Sequence, residues 1–254
     1  MKKGKKLIVA NWKMNPGTAA EARALFLATR RAASEARRVS VTVCPPFPFL
    51  SLFSRLSNGV ISLGSQDAFW RNGGPHTGEV SPEMLKDIGV TISMVGHSER
   101  RARWETDDIV SRKAQAVVRE GLSVLVCIGE RARDENGDFF GVLREQIKAT
   151  FSKVQRRFLS DVVIAYEPLW AIGKNWRDSA SPSVVRETAI FIRKVMADMF
   201  GDEGVTVPIL YGGSVGPENA GALLRDGDIA GFLIGHESLD AEAFAWIIRI
   251  ANDA

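Results

Sequence analysis

Cysteine, histidine and tyrosine are scarce in this chain of 254 residues, which holds two, three and two of them. Cys44 and Cys127 stand far apart in apolar runs and form no Cys-x-x-Cys pair, which excludes a disulfide framework and predicts two buried thiols in a reducing compartment. His76, His97 and His236 make no His-Glu-x-x-His motif, so neither a metal site nor a cofactor is expected. No apolar stretch approaches the roughly 18 residues of a membrane span. Leu7 to Ala10, after Lys2, Lys3, Lys5 and Lys6, is too short for the core of a secretory signal. With no Asn-x-Ser/Thr acceptor either, a cytoplasmic protein with a solvated basic tail over 1–6 is expected. A charge excess is missing too: 33 basic and 30 acidic residues leave +3, too little to imply nucleic acid. The dinucleotide turn Gly-x-Gly-x-x-Gly is absent, and Gly173-Lys174 is followed by Asn rather than by the hydroxyl residue of a P-loop.

What remains is an ordinary globular composition, 45% hydrophobic and 25% charged, with no linker or composition break. Eight short Val- and Ile-rich runs recur: Leu7 to Asn11, Val39 to Cys44, Val60 to Ser65, Thr91 to Val95, Ser123 to Ile128, Val162 to Tyr166, Val207 to Tyr211 and Gly231 to Ile234. They are nearly all apolar, the pattern of parallel strands buried on both faces. Helix starts lie between them: a capping box at Thr18 to Glu21, and N-cap serines before proline at Ser81-Pro82 and Ser181-Pro182. Gly59, Gly89, Gly121 and Gly204 stand where helices should stop. Eight such units over residues 1–254 fit one (β/α)8 barrel domain better than an open doubly wound sheet.

Barrels of this kind carry their chemistry on the loops leaving the C-terminal ends of the strands. Those positions hold Asn11 and Lys13, Gln66, His97, Glu167, Gly212-Gly213-Ser214 and Gly235. A carboxylate base, an imidazole, an ammonium and glycine-bearing turns on one rim suit proton transfer on a small phosphorylated carbonyl compound.

At these residues the chain resembles the triosephosphate isomerase family. The resemblance runs through Asn11-Trp-Lys13-Met-Asn15, Gly96-His97-Ser98-Glu99-Arg100-Arg101, Cys127-Ile-Gly-Glu130, Ala165-Tyr-Glu167-Pro-Leu-Trp-Ala-Ile-Gly173 and Tyr211-Gly-Gly-Ser-Val215, in the family's order. It implies an intramolecular oxidoreductase, an aldose-ketose isomerase that interconverts dihydroxyacetone phosphate and glyceraldehyde 3-phosphate through an enediol. Glu167 would be the base, His97 a neutral electrophile, and Lys13 with Asn11 the donors to enediolate and phosphate. The resemblance also implies a helix N-terminus after His97 that keeps the imidazole neutral and a mobile lid that closes over the bound substrate. Backbone donors to phosphate would come from Gly173, Gly212, Gly213, Ser214, Gly235 and His236, and Ile172 and Leu233 would clamp over Glu167. Glu99 would hold Lys13 in place, with Ser98, Cys127 and Tyr211 in supporting positions. The resemblance also implies a homodimer through Gly73 to Glu79, with Thr77, Gly78, Glu79 and Gln66 in that contact.

Three departures stand out. The lid expected from Pro168 to Ser181 is about two residues longer than usual over Lys174 to Ser181 and lacks the second lid glycine. His236 replaces a phosphate-binding glycine, and Trp104 replaces another after the Ser-Glu-Arg-Arg turn. The altered lid and His236 keep open an isomerase of another short phosphosugar, such as a four-carbon ketose phosphate. A remoter alternative is a serine hydrolase, since Gly212-Gly-Ser214-Val-Gly216 satisfies Gly-x-Ser-x-Gly, with Asp226 or Asp228 and His236 completing the triad.

Overall fold

The computed structural model describes residues 5–57, 59–173, 177 and 179–254. Eight strands, β1 Lys6–Asn11, β2 Val39–Cys44, β3 Ile61–Ser65, β4 Val90–Val95, β5 Ser123–Ile128, β6 Val162–Tyr166, β7 Ile209–Tyr211 and β8 Gly231–Ile234, pair in chain order. All neighbours are parallel, and β8 closes on β1 with Leu7 opposite Gly231. The (β/α)8 barrel expected from the alternation is therefore the observed architecture. Around it lie α1 Ala19–Ser34, α2 Phe47–Phe53, α3 Pro82–Asp87, α4 Ser98–Arg101, α5 Asp107–Arg119, α6 Phe139–Phe151, α7 Pro182–Phe200, α8 Asp202–Val205, α9 Pro217–Asp226 and α10 Ala241–Asp253. Among the described residues no helix is long and apolar enough to cross a membrane.

The strands are apolar on both faces because both faces are covered. Leu7, Val9, Met94, Leu125, Val163, Leu210 and Leu233 point inward and fill the barrel. The alternate residues, such as Ile8, Ala10, Val124 and Val126, meet the helices in a second layer. In that layer Phe26 of α1 stacks on Phe53 of α2 at 4.2 Å, and Trp12 meets Phe53 edge-on at 6.0 Å.

Helix starts follow their caps. Thr18 and Glu21 close a reciprocal capping box, and the Ser81 and Ser181 hydroxyls accept from the amides of Met84 and Val184. β1, β3 and β4 begin one residue from the expected position, at Lys6, Ile61 and Val90, so Lys6 belongs to the barrel rather than to the basic tail; two further boundaries each have a backbone cause. β7 begins at Ile209 rather than Val207, since Pro208 has no amide to donate to the ladder. The helix expected to stop at Gly204 ends at Phe200, because Gly201 already takes φ 67° and turns the chain. Gly204 instead lies inside α8, where a Cβ would sit 2.2 Å from the Met196 carbonyl.

Outside the barrel mouth a charged cluster is buried. The Lys113 ammonium of α5, with no exposed surface, bonds Asp67 at 2.7 Å and Glu105 at 2.6 Å, and Arg100 bonds Asp67 at 2.6 Å. Burial above all, with Glu105 nearby, pushes the Asp67 carboxyl up to about 6 despite Lys113 and Arg100. Trp104 covers this cluster, its ring 5.3 Å from the Lys113 ammonium and 5.5 Å from the Arg100 guanidinium. Nothing in the sequence around Trp104 signals that role.

Candidate active site

The C-terminal ends of the strands surround a cavity of about 660 Å³. Its walls carry Asn11 and Lys13 after β1, His97 after β4, Glu167, Ile172 and Gly173 after β6, Gly212, Gly213 and Ser214 after β7, and Leu233, Gly235 and His236 around the end of β8. These elements are far apart in the chain, and barrel closure alone brings their ends to one rim.

Glu167 is 3% exposed and His97 7%. The His97 Nε2 lies 3.1 Å from Glu167 Oε1, and the Ser98 amide donates to Glu167 Oε2 at 3.1 Å. Burial raises the Glu167 carboxyl, but the charge and hydrogen bond of His97, with the Ser98 amide, outweigh it and hold the group below its ordinary value. The partner moves the opposite way. Burial lowers the His97 imidazole, and the adjoining Glu167 carboxylate more than offsets that, so its value is raised. In the neutral ring the Glu99 amide donates to His97 Nδ1 at 3.3 Å, which leaves the other nitrogen, Nε2, to carry the proton toward Glu167. Burial, and then Glu167 beside it, push the Cys127 thiol well above its usual range, so it stays protonated against the carboxylate.

This pairing has a measurable consequence. Because the His97 value is raised in the folded chain, the stability it contributes is complete below about pH 6.5 and is lost as pH rises through the folded value. Glu167→Gln removes the raising charge and leaves the burial, so the His97 pKa should fall below that of the parent. Imidazole ¹⁵N shifts recorded across pH read it directly, and an unmoved midpoint would show that Glu167 does not set the charge of His97.

Lys13 is one of two non-glycine residues described with positive φ, at 54°. The Asn11 side-chain oxygen accepts the Lys13 amide at 3.0 Å, and the Gln66 amide donates to the Lys13 carbonyl at 2.8 Å and to Cys44 at 2.9 Å. The left-handed turn is thus held from both sides, and it aims the ammonium into the cavity mouth. There Glu99 Oε1 lies 2.8 Å from the ammonium nitrogen. Gln66, assigned by resemblance to a subunit contact, spends both bonds within its own chain.

Two glycines are fixed by close approach. A Cβ on Gly129 would fall 1.8 Å from the Glu167 carbonyl, and one on Gly212 would fall 2.8 Å from the Glu167 side chain. The Ser214 hydroxyl donates to the Ala171 carbonyl at 3.0 Å, and the Ala180 amide donates to the Tyr211 hydroxyl at 3.2 Å. These bonds tie the segment after Glu167 to the turn after β7, and Ala180 is a residue the sequence did not single out. Of the lid expected over Pro168 to Ser181, positions 174–176 and 178 lie outside the described residues, as do 1–4 of the basic tail. Among the described residues no hydrolytic relay is assembled at Ser214: its hydroxyl points to a backbone carbonyl, and Asp228 is bonded to Arg193.

Thr77, Gly78 and Glu79 are exposed on a loop in which Phe69 packs against Trp70 at 4.1 Å and His76 at 4.7 Å. Met14 and Met84 are exposed large apolar side chains.

Comparison with known proteins agrees with this geometry. The sequence model of the family described as triosephosphate isomerase matches residues 6–251. The triosephosphate isomerase of Trichlorobacter lovleyi is 40% identical over 247 residues, covering 96% of this chain and 97% of that protein. That of Moorella thermoacetica is 41% identical over 246 residues, with 96% and 97% covered. Among solved structures, the crystal structure of triosephosphate isomerase from Bartonella henselae superposes with a TM-score of 0.85 at 36% identity, covering 97% of this chain and 98% of that one.

Proposed function

We propose the residue roles below from one premise: the chain belongs to the triosephosphate isomerase family, and it interconverts dihydroxyacetone phosphate and glyceraldehyde 3-phosphate. The observation that carries the roles is the buried contact between His97 Nε2 and Glu167 Oε1 at 3.1 Å, beside the ammonium of Lys13.

Glu167 takes the proton from one carbon of the bound triose and returns it to the neighbouring carbon. Its value is kept below the ordinary carboxylate range, so at neutral pH it stands ionised and ready. The enediolate that forms spreads negative charge over two oxygens. The Nε2–H of His97 donates to them, its tautomer selected by the Glu99 amide on Nδ1. Lys13 places a fixed positive charge between those oxygens and the phosphate. Its pre-strained turn means that little reorganisation is needed as charge develops. Asn11 holds the Lys13 backbone with its side-chain oxygen and, from the cavity wall, donates its side-chain amide to the substrate. Gly173, Gly212, Gly213, Ser214, Gly235 and His236 present backbone amides to the phosphate, and Ile172 and Leu233 keep water from Glu167.

A homodimer in the cytoplasm completes the reading. The exposed loop from Gly73 to Glu79 supports contact with a second copy. Light scattering at low concentration should return about twice 27.8 kDa. A stable, active species at 27.8 kDa would remove the dimer.

The experiment for the roles is conversion of glyceraldehyde 3-phosphate by purified protein, coupled to NADH oxidation through glycerol-phosphate dehydrogenase, with Glu167→Gln assayed alongside. Turnover in the parent that persists in the variant would remove Glu167 from its role.

A further inference from the structure

Glu130 arrives with the Cys127-Ile-Gly-Glu130 signature and has no part in the proton transfer, and Arg133 belongs to no motif. Together they occupy the outer side of the strand that carries Glu167. The Glu130 carboxyl is 1% exposed. Its Oε1 accepts three hydrogen bonds, from the Tyr166 hydroxyl at 2.8 Å, the Trp170 indole at 2.9 Å and the Arg133 Nε at 3.0 Å. Its Oε2 is buried with no partner among the described residues. Such a carboxylate is costly unless a cation stands beside it, and Arg133 is the cation paired with it.

The guanidinium reaches further than charge balance requires. It donates to the Tyr166 hydroxyl at 3.1 Å, to the Thr188 hydroxyl on α7, and to Glu187 of the same helix at 3.2 Å. It also lies over the rings of Phe139 at 4.4 Å and Trp170 at 5.7 Å. Tyr166 is the residue before Glu167, and Trp170 stands two before Ile172. The Leu169 amide adds a third tie, donating to the Glu130 carbonyl at 3.0 Å. One planar fork therefore fastens the chain on both sides of the base to α7.

We propose that Arg133 is a positioning residue for the isomerisation: by binding Tyr166 and Trp170 to Glu130 and α7, it fixes the Glu167 carboxylate and the Ile172-Gly173 wall against the substrate. It touches neither substrate nor reacting atoms. A lysine supplies the charge but cannot bond several acceptors in one plane, so the role is specific to the guanidinium. The leverage is geometric, since a misplacement of about 1 Å at a reacting group costs about 10²-fold in rate. The proposal rests on Glu167 being the base.

The test compares Arg133→Met, Arg133→Lys, Thr188→Val and Glu167→Gln for kcat, KM, affinity for inorganic phosphate, and phosphate released per turnover. The last reading reports the wall. When water reaches the enediolate, its oxyanion pair forms the carbonyl, the C=C pair moves to the next carbon, and the C–O bond to phosphate breaks, leaving phosphate and the enol of methylglyoxal. Arg133→Met should lower kcat at least tenfold and raise phosphate release per turnover at least fivefold. Its affinity for inorganic phosphate should fall less than kcat does, because only Gly173 of the backbone donors belongs to that wall and the others stand on the turns after β7 and β8, and Arg133→Lys should recover less than half of the lost kcat. Unchanged kcat and phosphate yield in a folded Arg133→Met overturn the proposal. If that variant does not fold, Thr188→Val decides, since it removes one of the two bonds from the guanidinium to α7 and leaves the pair with Glu130 in place. A threefold shift of both readings in the same directions supports the proposal, and none overturns it. Loss in Glu167→Gln without loss in the Arg133 and Thr188 variants would overturn this proposal and leave the base standing. No loss in Glu167→Gln would overturn both.

Discussion

Glu167→Gln should fold, bind triose phosphate and lose at least about 10²-fold in turnover, the lower end of what a positioned base contributes. The amide keeps the shape of the carboxyl but cannot take a proton from carbon. It also has one acceptor oxygen where the carboxylate has two, each already engaged: Oε1 with His97 and Oε2 with the Ser98 amide. One of those donors loses its acceptor in the variant, so a small stability loss, of about 1 kcal/mol, should accompany the kinetic one. The two effects are separable. A fall in kcat with KM nearly unchanged marks an interaction made in the transition state, whereas a folding defect lowers active concentration without changing the pH profile of the remainder. A kcat within tenfold of the parent would contradict the assignment.

The largest effect on stability should come from Lys113→Met. Met fits the volume and leaves Asp67 and Glu105 buried with Arg100 as the remaining cation; Glu105 Oε2 already lacks a partner. Removing one member of a buried ionic cluster typically costs about 3 to 5 kcal/mol, because the charges left behind stay desolvated. The pH dependence has a definite sign. Asp67 sits at about 6 in the folded chain against 3.8 ordinarily. The native state therefore holds a proton that the unfolded chain has released over that interval, and stability falls as pH rises through it. Without Lys113 the folded value rises further, so the deficit in Lys113→Met should be smaller at pH 5.5 than at pH 8. Urea midpoints at the two pH values test this, and equal deficits would mean that Asp67 and Glu105 find other partners.

The barrel was legible because its strands carry their own explanation. Val124 to Ile128 is apolar without interruption since one set of side chains enters the barrel and the other meets the helices. Boundaries were less legible where a single backbone feature decides them, as with Pro208 at β7 and Gly201 at α7. The candidate site was readable by position, since one residue after another falls at a strand end. The supports were not. The Asn11 oxygen also caps the Lys13 turn, and Gln66 also braces it, and neither task shows in the sequence. Lys113 belongs to no motif, and Asp67, which pairs with it, comes from a loop 46 positions earlier. Arg133 belongs to no motif, and its task shows only once Thr188 and Tyr166 are in place beside it. Such pairings depend on tertiary closure, which local periodicity does not encode.

The seam between β1 and β8 bears on how the chain leaves the ribosome. β1 emerges first, and β2 can pair with one of its edges early. The other edge, from Leu7 to Ala10, bonds to Gly231 through Ile234, the strand made after the other seven. During most of synthesis that edge is an open row of amides and carbonyls flanked by Leu7 and Val9, the kind of template on which nascent chains mispair. Such late, long-range pairing also makes for slow folding. Chaperone dependence and the yield of soluble protein at fast translation rates should therefore respond to substitutions at this seam more than to equal losses of stability elsewhere in the barrel.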